Sequence, residues 1–260
     1  MSDPVTYPIT LVGAGPGDPE LLTLKAVRAI AQATVLLVDD LVNDAVLVHA
    51  QASARIVHVG KRGGCRSTPQ AFIHRLMVQE ARAGERVVRL KGGDPFIFGR
   101  GGEEIEHLHA EGLAVEVVNG ITAGLAAVTT LGVPLTHRDH AHGVVFITGH
   151  AQDPAHTPDW VELARTAQQC RLTLVVYMGV SGLARIHAGL CQGLPASTPV
   201  AVVQHATLPA QRERICTLGE LPGAVADAGL HSPAVIVVGD VLQGLLALKD
   251  GATARRAQQA

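Results

Sequence analysis

At 260 residues and 27.1 kDa, the chain has room for one large or two modest α/β domains and not for a many-domain assembly. Its 21 basic and 23 acidic side chains leave a formal charge of -2 and a sequence pI near 6.7, which argues against a surface built to grip a nucleic-acid backbone. Hydrophobic residues make up 47% and aromatic ones 3%, so Val, Leu, Ile and Ala must fill the core, and platforms for stacking bases are scarce.

Short Val/Ile/Leu runs alternate with Ala-rich segments of helical period, the rhythm of βα units whose sheets are buried on both faces. In a first set the predicted strands are Ile9 to Val12, Thr34 to Val38, Arg55 to Val59, Val87 to Leu90 and Val115 to Val118. Helices are expected over Leu22 to Ala33, Asp44 to Gln51, Pro69 to Ala83, Glu103 to Ala110 and Thr122 to Leu131. Thr68 before Pro69 reads as an N-cap followed by proline at the first helical position, and Gly112 suits a helix C-terminus. A second set of strands covers Val144 to Thr148, Thr173 to Met178, Pro199 to Gln204, Arg214 to Leu218 and Ala234 to Val238, and Thr157 before Pro158 repeats the capping pattern.

The expected architecture is therefore α/β, with two domains that each carry a mixed, mostly parallel five-stranded sheet. Between the sets, Pro134 to Gly143 is polar and bracketed by Pro and Gly, which places the boundary so that residues 1–137 form the first domain and 138–248 the second, with 249–260 as a mobile tail. Cys65, Cys170, Cys191 and Cys216 form no CxxC pair, so reduced thiols in a cytosol are the economical reading. Met1 to Tyr7 lacks the basic and apolar regions of a signal peptide, and Gly120, Gly132 and Pro134 break the uncharged stretch Val117 to Thr136 that would otherwise rival a membrane span. Thirteen histidines show neither HExxH nor paired-Cys spacing, and no metal is expected.

Chemistry is expected at the strand ends. Gly13-Ala-Gly15-Pro16-Gly17-Asp18-Pro19 follows the first strand, where a dinucleotide-binding fingerprint would sit. It fails that test, because Asp18 occupies the third glycine position and Pro16 and Pro19 remove backbone N–H groups from a would-be phosphate cradle. Such a loop suits a neutral or cationic ligand; equally, it could be a tight βα turn with Asp18 capping the next helix. Arg89 to Glu104 carries five glycines after the fourth strand, a pattern that favours a close-fitting ligand, with Phe96 and Phe98 shared between ligand and core or both in the core. Asp39 follows the second strand and Lys61-Arg62 the third, so they project from the same sheet edge and could trade protons with a substrate, or form an ordinary ion pair. Asn119 to Ala123 opens a helix whose N–H groups would face the site. Ser181 lacks the GxSxG context of a nucleophile and reads as an N-cap.

Taken together, the Gly13 to Asp18 loop, Val59-Gly-Lys61-Arg62, Arg89 to Glu104, Gly120-Ile-Thr122-Ala123, Pro134-Leu-Thr-His-Arg-Asp139 and Tyr177-Met178-Gly179 resemble the tetrapyrrole methylase family, over roughly Pro8 to Leu245. The resemblance implies a two-domain methyltransferase, a homodimer, with S-adenosylmethionine held in a cleft between the domains. It implies methyl transfer to carbons 2 and 7 of uroporphyrinogen III, giving precorrin-2 for sirohaem or cobalamin synthesis, with another precorrin carbon as the alternative acceptor. By motif match, cofactor contacts fall on Pro16, Gly92, Gly93, Asp94, Ile97, Thr122, Ala123, Met178 and Ala206. Asp39 stands at the proton acceptor's position and Lys61 at the donor's. An octacarboxylate substrate needs a basic rim, for which Arg62, Arg66, Arg100, Arg138 and Arg212 are candidates, with Lys61 and Arg89 beside them. Two positions depart from the family pattern: Val38-Asp39-Asp40 replaces a frequent Tyr-Asp-Arg, and Ala206 replaces a frequent glycine. The first strand begins near Pro8, which suggests a stand-alone enzyme without a preceding dehydrogenase portion. The rivals are an NAD(P)-dependent oxidoreductase, which Asp18 disfavours, and a ligand-binding regulator, which Asp39 and Lys61 disfavour.

Overall fold

The computed structural model describes residues 7–60, 69–150 and 157–246. The chain divides into two compact units, residues 1–123 and 124–260.

In the first unit, five strands, β1 (Ile9–Gly13), β2 (Val35–Val38), β3 (Arg55–His58), β4 (Val87–Lys91) and β5 (Val115–Val118), form one sheet in the order β3-β2-β4-β1-β5. Every pairing is parallel. Alternation along the central strands sorts their side chains between two apolar layers. Ile9, Leu11, Val35, Leu37 and Val87 pack with helices α2 (Gln70–Arg82) and α3 (Gly101–Ala110), whereas Val12, Leu36, Val38, Val88 and Leu90 pack with α1 (Leu24–Gln32) and Val46. Thr23 caps α1 by accepting from the Ala26 N–H at 3.1 Å. Gly112, at φ 74°, ends α3, where its N–H reaches the His109 carbonyl at 3.0 Å. The helix expected over Asp44 to Gln51 is instead a 3₁₀ turn at Asp44–His49, begun by the Asn43 side chain accepting from Ala45 N–H. Thr68 lies outside the described residues, and Pro69 immediately precedes α2 without a side-chain cap.

The second unit contains helix α4 (Ala123–Thr130, whose first residue closes the first unit) and strands β6 (Gly143–Thr148), β7 (Leu172–Tyr177), β8 (Pro199–Gln204), β9 (Arg212–Thr217) and β10 (Ala234–Val238). Helices α5 (Trp160–Cys170), α6 (Leu183–Leu190) and α7 (Leu221–Asp227) pack on one face of this sheet, against Leu174, Val176, Val200, Val202 and Ile236. The strand order is β6-β7-β10-β8-β9, and only β6 and β7 pair in parallel. Strand β10 inserts antiparallel between β7 and β8, and β9 folds back on β8. The expectation of mostly parallel sheets thus holds fully in the first unit and gives way in the second.

The division at 123/124 lies earlier than the boundary expected at 137/138. The reason is local: Gly124 N–H donates to the Tyr177 hydroxyl at 2.7 Å, and the 134–142 segment is tied to β7 by Thr173 Oγ1 donating to the Leu135 carbonyl at 2.9 Å and by the Arg171 guanidinium on the Asp139 carbonyl. Two capping expectations are also corrected. Asp159, not Thr157, caps α5 by accepting from the Val161 and Glu162 N–H groups, and Ser181 lies inside the 3₁₀ turn Val180–Gly182 without capping α6. Residues 249–260 lie outside the described residues. Among the described residues, no helix is long and apolar enough to cross a membrane.

Candidate active site

A wholly parallel sheet delivers the C-terminal ends of all its strands to one edge, where function concentrates in such sheets. Pro16, Asp39, the Gly92 to Arg100 loop and the Gly120 to Thr122 segment all leave the first sheet there. Their backbones interlock. Gly15 and Gly93 exchange hydrogen bonds of 3.2 and 2.7 Å, and Ala14 N–H donates to the Lys91 carbonyl at 2.8 Å. Gly120 lies so close that an added Cβ would sit 2.2 Å from the Gly93 carbonyl oxygen. Asp94, 6% exposed, fastens the third loop: its carboxylate accepts from Phe96 N–H at 2.8 Å, Gly120 N–H at 3.1 Å and the Asn119 amide at 3.2 Å.

These contacts revise several expectations. The N–H groups of Gly120 and Gly124, expected to face the site, are spent on Asp94 and Tyr177. Asp18 accepts from Glu20 N–H at 2.9 Å and caps the 3₁₀ turn Pro19–Leu21, so its capping reading holds for that short turn, while Thr23 caps the following helix α1. The glycine density of the long loop is in part structural, since a Cβ on Gly101 would meet the Pro95 carbonyl oxygen at 2.5 Å. Phe96 and Phe98 both stay out of the core, at 53% and 40% exposure. Phe98 and Arg100 adopt left-handed backbone, φ 54° and 59°, the kind of strain that clusters at ligand sites.

Asp39 sits at the centre of a buried charge frame. The Arg89 guanidinium contacts its Oδ1 at 3.0 Å and the Lys91 ammonium its Oδ2 at 3.9 Å. Behind them, the fully buried Glu104 Oε1 accepts from Lys91 at 3.0 Å, from Arg89 at 3.3 Å and from Gln70 Nε2 at 2.9 Å. Burial, reinforced by the Arg89 charge, pulls the Lys91 ammonium below the ordinary lysine range, while Glu104 and Asp39 pull it partly back. Two acids and two bases therefore balance in formal charge. Gln70 also contacts His74, whose imidazole is held below its usual range by burial and by the stacked His107 ring 4.5 Å away. A cavity of about 320 Å³ opens beside Asp39, with Asp40, Asp44 and His58 in its wall.

Arg89, counted among the rim candidates, is 1% exposed and serves Asp39 from within. Lys61, Arg62 and Arg66 lie outside the described residues. Arg100 is exposed but forks onto Glu103 at 3.0 and 2.5 Å, a contact that raises its own pKa and lowers that of Glu103. Ile97 is half-buried within the same loop, Thr122 is buried, and Ala123 begins α4. In the second unit, β7 and β8 run in the same direction, each antiparallel to β10. Met178 and Ala206 therefore leave the same edge of that sheet. Met178 is itself left-handed (φ 53°), and so are His205 and Thr207 on either side of Ala206 (φ 52° and 69°). Arg138 is exposed in the turn closed by His137 and Ala141, and the Arg212 guanidinium is turned onto the Ala228 carbonyl at 2.6 Å. Among the described residues, no group of three or more His, Cys, Asp or Glu could hold a metal ion. The frame of Arg89, Lys91 and Glu104 was missed from the sequence. Its signal was two cations two residues apart on one face of an otherwise apolar strand.

Residues 8–222 match the family of tetrapyrrole (corrin/porphyrin) methylases. The chain belongs to that family. Among its relatives, a Pseudomonas aeruginosa uroporphyrinogen-III C-methyltransferase is 56% identical over 239 residues, covering 92% of this chain and 95% of that one. A siroheme synthase of Azotobacter vinelandii is 49% identical over 236 residues, which are 90% of this chain but 50% of the synthase, so the chain spans about half the length of such relatives. Two methylase structures show the same architecture. Uroporphyrin-III C-methyl transferase from Thermus thermophilus, complexed with S-adenyl homocysteine, has a TM-score of 0.77 at 42% identity, covering 91% of this chain and 99% of that one. A cobalt precorrin-4 methyltransferase has a TM-score of 0.78 at 28% identity, covering 90% and 95%.

Proposed function

We propose that the chain transfers methyl groups from S-adenosylmethionine to carbons 2 and 7 of uroporphyrinogen III, giving precorrin-2. The observation that carries this reading is the near end-to-end similarity to the P. aeruginosa methyltransferase, and the loop chemistry agrees with it. The amide hydrogens of Ala14, Gly15, Gly93 and Gly120 are taken by the chain itself, an arrangement poor for phosphates and suited to a phosphate-free cationic cofactor. Pro16, Gly92, Gly93, Ile97, Thr122 and Ala123 are the candidate contacts in the first unit, with Met178 and Ala206 in the second. Asp94 contributes by fixing the loop that carries the glycines.

The bound cofactor supplies a methyl group on positively charged sulfur. That methyl would pass to a macrocycle carbon with the sulfur–carbon electron pair left on sulfur, and the positive charge then carried by the ring would be discharged by loss of a proton. Asp39, which the Arg89 guanidinium contacts at 3.0 Å, is the proposed acceptor of that proton. Lys61, the candidate proton donor, is proposed to supply the complementary positive charge. Arg62, Arg66, Arg100 and Arg138 are proposed to orient the substrate carboxylates, and Arg212 would first have to leave the Ala228 carbonyl. A homodimer and a cytoplasmic setting belong to the same proposal. Titration calorimetry with S-adenosylhomocysteine and with NAD tests the cofactor class. Release of S-adenosylhomocysteine only when uroporphyrinogen III is present tests the acceptor. Binding of NAD alone would reject the reading in favour of an oxidoreductase.

A further inference from the structure

The frame behind Asp39 holds more than ion pairing requires. Glu104 is 0% exposed and 13 residues from Lys91 in sequence, yet its Oε1 gathers Lys91, Arg89 and Gln70, while its Oε2 has no hydrogen-bond partner among the described residues. A carboxylate buried so completely is costly unless its cations are needed where they are. The cations it fixes are the two that touch Asp39, one on each carboxylate oxygen. Arg89 is further pinned by donating to the Leu37 and Leu90 carbonyls at 3.4 and 3.1 Å. Asp39 itself is 32% exposed and begins a loop, so by itself it would be free to change rotamer.

We propose that Lys91 and Glu104 are positioning residues: Glu104 anchors Lys91 and Arg89, and these two cations hold the Asp39 carboxylate in the orientation that receives the substrate's proton. The inference rests on the methyltransferase reading. It places the control of Asp39 on two buried side chains, Glu104 of α3 and Lys91 of β4, and it explains why a strand with buried partners on both faces carries two charges.

The variants are K91M, E104Q and the double variant K91M/E104Q, with K91R as the conservative replacement. Each single change unbalances a buried frame and is expected to lower the melting temperature. The double variant leaves Arg89 opposite Asp39, one charge against one, and recovers most of that loss. Its affinity for S-adenosylhomocysteine and its KM for uroporphyrinogen III are expected within about twofold of the parent, while kcat stays more than about tenfold lower, the scale of a misplaced proton acceptor. K91R regains part of the kcat lost in K91M. A double variant that recovers kcat together with the melting temperature would overturn the proposal, because the pair would then only neutralise itself. Failure of the unmodified chain to methylate uroporphyrinogen III in the same assay would instead strike the functional reading.

Discussion

Replacing Asp94 with alanine probes the joint between two strand-end loops. The carboxylate accepts three hydrogen bonds, at 2.8, 3.1 and 3.2 Å, from donors up to 26 residues away. At about 1 kcal/mol net for each bond, the loss is about 3 kcal/mol. With roughly 2–4 °C of melting temperature per kcal/mol for a protein of this size, D94A is expected to melt about 6–12 °C below the parent. N119A, which removes one of the three bonds, should cost about 1 kcal/mol. Because the two residues are bonded to each other, the double variant D94A/N119A should be less destabilised than the sum of the two single changes by about 1 kcal/mol. Differential scanning calorimetry and urea unfolding read these values, and calorimetric titration reads the accompanying fall in affinity for S-adenosylhomocysteine. A D94A chain that melts within 2 °C of the parent, a margin below the roughly 2–4 °C of one bond, would refute the view that this carboxylate holds the loops together.

Asp39→Ala is expected to keep S-adenosylhomocysteine affinity and lower turnover by more than about tenfold, read by methyl-transfer kinetics. Gly120→Ala drives a Cβ to within 2.2 Å of backbone that cannot yield, so a loss of at least about 1–3 kcal/mol or failure to fold is expected in thermal unfolding. Tyr177→Phe leaves the Gly124 N–H without its 2.7 Å acceptor and should cost about 1 kcal/mol in urea titrations. His74 has its pKa lowered in the folded state, chiefly by burial. The unfolded chain therefore binds more protons between that lowered value and the ordinary 6.5, and the His74 contribution to stability falls as pH drops through this window. His74→Gln should flatten this part of the stability–pH curve, and an unchanged slope would contradict the assignment.

The first sheet was legible because its strands are short Val/Ile/Leu runs with loop chemistry at one end, and the parallel arrangement follows from the helices between them. The second sheet was less so. Ala234–Val238 is buried on both faces, and such a strand reads the same whichever way it runs, so its antiparallel insertion left no mark in the pattern. The unit boundary escaped because Gly124 looks like any helical glycine until Tyr177, 53 residues on, claims its N–H. Asp39 was legible as a strand-end acid. Its partners were not, because Arg89 and Lys91 resemble rim cations until the fold buries them against Glu104. The glycines of the long loop drew attention for a ligand, although some of them answer to Pro95.

The measurement closest to the central claim is transfer of ¹³C-methyl groups from labelled S-adenosylmethionine to uroporphyrinogen III under anaerobic reducing conditions, followed by NMR of the macrocycle. Two new ring methyl signals, at carbons 2 and 7, are predicted. An unlabelled macrocycle in the presence of bound S-adenosylmethionine, or label at a different ring carbon, would contradict the account.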